Sequence, residues 1–280
     1  MAILSTVISA YAFDFESGGF YFNVLSEQDK TVEVTSGDTP YSGNIEIPRQ
    51  ATNNGITYTV TIVGDHAFAE CSSLTSVIIP NSVLEIGRGA FSECEAMTSV
   101  SIPNSVTGIE EYAFMYCSSL ETIDIPNSVI TIGTDAFSEC HAVSSITIGN
   151  SVASIGDYAF SRNYNLTSIT IPASVSHIGS SVFGECSNLE TIDVDVKNNN
   201  YSSVECVLYN KDVTTLISCP GAKSEVIIPK SVITIGASAF AECGKLTSVT
   251  IPNSVKNIEI SAFEACSGLT SLDLPNSIIN

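Results

Sequence analysis

Cys117–Phe137 reads CSSLETIDIPNSVITIGTDAF, and the same order of residues returns through most of the chain at a fixed spacing. Phe68, Phe91, Phe114, Phe137, Phe160 and Phe183 lie 23 residues apart, as do Phe240 and Phe263. The step from Phe183 to Phe240 is 57, one period plus 34, so the array is interrupted once and resumes in register. Self-similarity at a constant spacing of about 20–50 residues marks stacked units, none of which can bury its apolar face alone. A solenoid follows, in which each unit contacts only its neighbours and the core grows in one dimension.

Within the quoted unit, Leu120, Ile123 and Ile125 end in alternation, which turns aliphatic side chains to one face of a strand. Equivalent strands are Leu74-Val77-Ile79, Met97-Val100-Ile102, Val143-Ile146-Ile148, Leu166-Ile169-Ile171 and Leu189-Ile192-Val194. Pro80, Pro103, Pro126 and Pro172 close four of them, because proline cannot donate to a sheet ladder. Ala-Phe, often preceded by Asp, predicts a single helical turn and hence an α/β repeat. Gly64, Gly87, Gly133, Gly156, Gly179 and Gly236 predict a bend with positive φ. Glu110 and Glu259 hold that place in two units, which must then bend differently or carry strain.

Outside the regular units the pattern changes. Residues 1–12 form a short apolar run ending in Ala10-Tyr11-Ala12, readable as the tail of a secretory signal or as a buried first strand. Residues 13–62 alternate aromatic and β-branched residues around the polar turn 26–30, predicting a β-hairpin cap and an irregular first repeat. Pro48 lies 32 residues before Pro80, so that repeat carries extra residues near Arg49–Tyr58. Residues 63–194 are regular. Residues 195–222 interrupt them, with Cys206–Tyr209 and Thr214–Ile217 flanking Asn210-Lys211-Asp212 as an inserted hairpin. Residues 223–280 resume the repeat and stop partway through one, which suggests a fragment or a covered edge.

The chain has 30 acidic against 10 basic residues, a net charge of −20. That balance argues against nucleic acid, whose affinity comes from Lys and Arg on phosphates, and against an anionic membrane surface. It suits partners with basic patches. No apolar stretch approaches the about 20 residues that span a bilayer.

The pattern L-x-x-I-x-IP-x-SV-x-x-IG-x-x-AF-x-x-C at 23-residue spacing resembles the BspA-type leucine-rich repeats, over roughly residues 60–280. The N-terminal cap and the insertion NNNYSSVECVLYNKDVTTLISCP also look like features of that family. The resemblance implies a right-handed solenoid with a parallel sheet on its concave side. It further implies a secreted or cell-surface protein of the kind found in anaerobic gut and oral bacteria and some protozoan parasites, with a role in adhesion. No catalytic residues come with it.

Several columns of side chains recur. Cys71, Cys94, Cys117, Cys140, Cys186, Cys243 and Cys266 share one slot, with Asn163 in the remaining place. They read as small buried hydrophobes, since one Cys per unit lacks the paired spacing of a zinc site. Cys206 and Cys219 lie off this ladder, on opposite arms of the inserted hairpin, and are either a cross-strand disulfide or two separate thiols. Ser82, Ser105, Ser128, Ser151, Ser174, Ser231, Ser254 and Ser277 follow the strands and read as hydroxyls satisfying turn backbone, not as nucleophiles. Glu70, Glu93, Glu139, Glu185 and Glu242 precede ladder cysteines and form a candidate acidic edge. Calcium would relieve their repulsion, yet no Asp-x-Asp loop is present, and a solvated ridge is the plainer reading. Outward sheet positions are mostly Thr and Ser, interrupted by Glu121, Asp124, Glu190, Asp193 and Asp273. That surface is either a protein-binding face or a soluble sheet face.

The sequence therefore predicts a non-enzymatic, adhesin-like protein-binding module, secreted or at the cell surface, contacting host matrix or cell-surface proteins without cofactor or metal. The alternative is a structural spacer or self-associating solenoid of a larger surface protein. An enzyme would need an unrepeated polar cluster, which only residues 195–222 could supply.

Overall fold

The computed structural model describes residues 13–279, so the apolar start read as a signal tail lies outside the described residues. Six strands come first: β1 (Phe15–Ser17), β2 (Phe20–Ser26), β3 (Thr31–Thr35), β4 (Gly43–Glu46), β5 (Gln50–Asn53) and β6 (Ile56–Val63). β1, β2 and β3 pair antiparallel, and β3 then joins β6 in parallel. The extra residues of the first repeat form the antiparallel pair β5–β6.

From there each coil carries a rung of three to five residues and a second, two-residue strand. These are β7 (Leu74–Ile78) and β8 (Glu85–Ile86), β9 (Ser99–Ser101) and β10 (Gly108–Ile109), β11 (Thr122–Asp124) and β12 (Thr131–Ile132), β13 (Ser145–Thr147) and β14 (Ser154–Ile155), β15 (Ser168–Ile171) and β16 (His177–Ile178). The next rung is β17 (Thr191–Val194). Pairing is parallel and in register at one repeat, as in Ile123↔Ile146 and Ile132↔Ile155. Like side chains therefore stack. Phe68, Phe91, Phe114, Phe137, Phe160 and Phe183 form a column with centroids 4.9–6.1 Å apart and rings within 12° of parallel. Ala113, Phe114, Cys117, Leu120, Ile123, Ile125, Val129 and Ile132 show how one coil fills the core, all of them buried.

The expected helical turn is absent, and among the described residues there is no helix, so the α/β label is corrected. The Asp-x-Ala-Phe segment is instead a succession of β-turns. Cys117 N–H reaches back three residues to the Phe114 carbonyl at 3.2 Å, closing one of them. The alternate amides Tyr112, Phe114 and Tyr116 instead donate to Thr134, Ala136 and Ser138 of the next coil, at 2.8–3.0 Å. A helix would spend those N–H groups within its own turn. Here they tie one coil to the next.

The glycine reading is corrected as well. Gly64, Gly87, Gly133, Gly156, Gly179 and Gly236 are not among the residues with positive φ. A Cβ on Gly133 would stand 2.5 Å from the Glu111 nitrogen, and one on Gly156 would stand 2.6 Å from the Thr134 nitrogen. Glycine is needed there because two coils approach closely. The left-handed positions lie elsewhere, among them His66, Tyr112, Asp135 and Tyr158, and every residue of the Glu column from Glu70 (φ 59°) to Ala265 (φ 52°).

After β17 the order is β18 (Tyr201–Val204), β19 (Val207–Asn210), β20 (Thr215–Ser218), β21 (Glu225–Ile227), β22 (Thr234–Ile235), β23 (Ser248–Thr250) and β24 (Asn257–Ile258). The insertion is a three-stranded meander, β18–β19–β20, rather than a single hairpin. β18 escapes a pattern reading because it lies in a polar Asn-rich run. Its tight turn also uses Glu205 (φ 51°) and Cys206 (φ 66°) where Asn-Gly is the usual signal. The array resumes when β20 pairs in parallel with β22, Leu216 opposite Ile235. The two runs of rungs do not rejoin. The Ile192 N–H on the edge of β17 donates to the Cys206 carbonyl at 3.1 Å, while among the described residues β21 pairs with β23 alone.

Candidate binding surfaces

Within each run the rungs present a common outward face. Outward side chains Ser99 and Ser101, Thr122 and Asp124, Ser145 and Thr147, Ser168 and Thr170 are exposed on successive strands, with Glu121, Glu190, Asp193 and Asp273 also exposed. Register puts Asp124 beside Thr147 and Asp193 beside Thr170. The acids are thus set singly among hydroxyls and form no cluster. The sequence reading missed two aliphatic side chains on this face, Ile78 and Ile227, exposed at 52% and 76%. The signal was present: only these rungs read Val-Ile-Ile-Pro, placing an isoleucine where others put Ser, Thr or Asp.

The Glu column behaves differently from a solvated ridge. Glu70 and Glu93 are exposed, but Glu139 is buried, with only 8% of its side chain accessible. Arg162, whose own slot interrupts the acidic series, bonds Glu139 on one side and Glu185 on the other. His141 adds a 2.8 Å contact to Glu139 and stacks on Tyr164 with centroids 4.9 Å apart. Burial alone would push the Glu139 carboxyl up, but the Arg162 guanidinium and the His141 ring bring it below the usual carboxylate range. Glu242 moves the other way: burial and the neighbouring Glu185 raise it. Glu185 and Glu242 are 57 residues apart in sequence, so the column is continuous past the interruption on this side. A shallow cavity of about 260 Å³ lies here, lined in part by Met115, Asp135, Glu139, Tyr158 and Arg162.

All nine cysteines are free thiols. Cys94, Cys117, Cys140 and Cys186 donate to the phenylalanine carbonyl of the preceding coil at 3.1–3.3 Å, and Asn163 Nδ2 makes the same bond to Phe137. Burial pushes the Cys140 and Cys186 thiols up to about 12. Of the two readings open for Cys206 and Cys219, the structure has two separate thiols. Cys206 occupies the β18–β19 turn, whereas Cys219 is buried with its N–H on the Ala239 carbonyl at 2.8 Å. That is the bond Phe91 makes to Ala113, so Cys219 holds the phenylalanine slot of its coil. Ser105 and Ser174 hydroxyls donate to the Val83 and Val152 carbonyls at 2.6 and 2.7 Å, joining coils at the turns.

The family model for BspA type leucine-rich repeat regions matches in 6 copies, over residues 49–129, 107–220 and 218–280. Among curated proteins none matches. Among solved structures, the pneumococcal vaccine antigen PcpA superposes with a TM-score of 0.83 at 25% identity, covering 96% of this chain and 71% of that one. A leucine-rich cell surface protein from Faecalibacterium prausnitzii A2-165 gives a TM-score of 0.65 at 28% identity, covering 94% and 83%. No helix among the described residues is long and apolar enough to cross a membrane.

Proposed function

Because the chain belongs to the BspA-type leucine-rich repeat family, we propose that it is a non-enzymatic surface protein whose rungs hold a protein partner. The observation that carries this is the rung face itself. Its exposed Ser, Thr, Asp and Glu side chains are held at a fixed register where neighbouring rungs pair, as β11 with β13 and β15 with β17. A rigid extended face loses little conformational freedom on binding, which favours affinity over a large, mostly polar contact. The same face offers almost no aromatic platform for sugar stacking. A net charge of −20 favours a partner with a basic surface and a salt-sensitive encounter. Within this reading the partner is a host matrix or cell-surface protein, the rung sheet is the concave face, and the N-terminal meander is the cap of the solenoid.

The test is capture by immobilised matrix and cell-surface proteins at low and high salt, with charge reversal of Asp124 and Asp193. Saturable capture by one protein, weakened by salt and by both reversals, is expected. Silence across the panel, with a particle size that grows with concentration, would sink the adhesin reading in favour of a self-associating spacer.

A further inference from the structure

Where the two runs of rungs fail to join, the structure leaves a groove of about 820 Å³, within the about 300–1,000 Å³ typical of ligand sites. One wall is the edge of β21. The Ser224 carbonyl accepts from the Thr247 and Ser248 amides at 2.8 and 3.3 Å, and the Ile228 N–H reaches the Thr250 carbonyl at 3.0 Å. The backbone groups of residues 224, 226 and 228 therefore turn toward β23. Alternation along the strand aims the N–H and C=O of Glu225 and Ile227 the other way, into the groove, where β21 has no strand neighbour among the described residues. Val204, Val207 and Tyr209 of the meander form the facing wall.

Side chains mark the groove as open by construction. The pairing Glu225↔Ser248 puts Lys223 in register with Leu246. That slot is Leu74, Met97, Leu120, Val143, Leu166 and Leu189 in the earlier coils, all buried. A lysine is compatible with it only where the slot opens to solvent, and Lys223 lines the groove. Beside it Ile227 is 76% exposed on a strand edge, an arrangement that templates pairing with another chain unless blocked. Glu190, Glu205 and Glu225 line it together with Lys223 and Lys245, and Glu225 is the charged side chain on the β21 edge itself.

We propose that β21 receives a strand from the partner protein, an inference that rests on the protein-binding reading above and names its site. The segment is extended. It places a basic side chain beside Glu225, an aliphatic one inward against Val226, Val207 and Tyr209, and a second aliphatic one beside Ile227. Main-chain bonds to Glu225 and Ile227 supply affinity, and the alternating side chains supply selectivity, as in strand addition generally.

Panning a displayed library of random short peptides on the intact chain tests this. Selected peptides carry a basic residue followed by two aliphatic ones and slow the exchange of the Glu225 and Ile227 amides. Ile227→Pro removes one groove-facing donor while leaving the bonds to β23, and proline is tolerated at such an edge; it weakens peptide binding at least about tenfold. Ile227→Thr keeps the donor and stays within about threefold. Should the proline variant unfold, Glu225→Lys, an exposed change, serves instead: binding drops about tenfold and acidic peptides recover it. No enriched peptide, or peptides that bind Ile227→Pro undiminished, overturns the proposal. Dimers that disappear in Ile227→Pro would assign the strand to a second copy and overturn it too. A matrix protein captured equally by wild type and Ile227→Pro leaves the protein-binding reading standing and removes the groove; peptide capture with a silent panel does the reverse.

Discussion

Arg162 is the one cation in a column otherwise made of glutamate, tyrosine and alanine, and it bonds the carboxylates of both neighbouring coils. Replacing it with alanine leaves Glu139 buried without its main partner. That costs about 1–3 kcal/mol at pH 7, the range for a buried polar group that loses its bond. The pH dependence has a defined sign. In the native chain the Glu139 carboxyl is held below its ordinary value, so its contribution is present above the unfolded pKa and is lost as pH falls through the folded one. In Arg162→Ala only His141 still opposes burial, and the carboxyl rises. The gap between the two proteins, read by urea unfolding, is therefore widest at pH 7 and closes toward pH 4 or below. A gap independent of pH would mean that Arg162 acts through packing. The same column stores backbone strain. Glu93 has φ 60° and an exposed side chain, so Glu93→Gly is neutral or stabilising, while Glu93→Val loses about 1–3 kcal/mol in thermal unfolding. No residue in that column is glycine, which is why its left-handed backbone was not legible in the sequence. The bonds between coils impose it.

At the scale of elements, the rung and the turn were not equally legible. Rungs follow from alternation, and the Leu-x-x-Ile-x-Ile pattern with its closing proline locates them. Turns do not, because Asp-x-Ala-Phe suits a helix as well as it suits β-turns. The difference lies in where Tyr112, Phe114 and Tyr116 spend their amides, in the next coil, and that is set by stacking. The bend glycines were found for a reason that does not hold; their role is contact, as the 2.5 Å approach at Gly133 shows. Gly133→Ala accordingly destabilises by about 1–3 kcal/mol through overpacking, although its φ would accept alanine. An unchanged melting temperature would refute the close approach. The cysteine ladder gives a second check. Native alkylation modifies Cys206 first, since Cys117, Cys140 and Cys186 are buried and their thiols raised by burial. Thiol titration of the unreduced, denatured chain counts nine; a count of seven would restore the pair Cys206–Cys219.

The whole molecule has two cores where a perfect repeat would have one. The first cluster runs from Phe15 to Leu208 and the second from Val207 to Ala262. The division falls where β17 and β21 fail to pair and where Cys219 replaces a phenylalanine, so the aromatic column stops at Phe183 and restarts at Phe240. Among the described residues, polar links cross between the coils of β17 and β21. The Ala222 N–H donates to the Leu189 carbonyl at 2.9 Å, Lys245 Nζ to Asn188 Oδ1 at 2.9 Å, and Glu185 meets Glu242. In a linear array stability is a sum of unit and interface terms, and the weakest interface is where cooperative unfolding divides. Hydrogen exchange under increasing denaturant is expected to show the amides of residues 223–279 opening together, at lower free energy than those of residues 64–194. Asn198 widens that difference in a defined direction. It is buried beneath the meander, bonding the Pro172 and Val175 carbonyls through Nδ2 and the Asn200 and Tyr201 amides through Oδ1. Asn198→Ala strands those groups and costs about 1–3 kcal/mol, felt first by the meander and by the coils stacked beyond it. If both halves instead open in one transition, in the wild type and in Asn198→Ala alike, the interruption is a full structural joint, and the groove beside β21 is as rigid as the rungs around it.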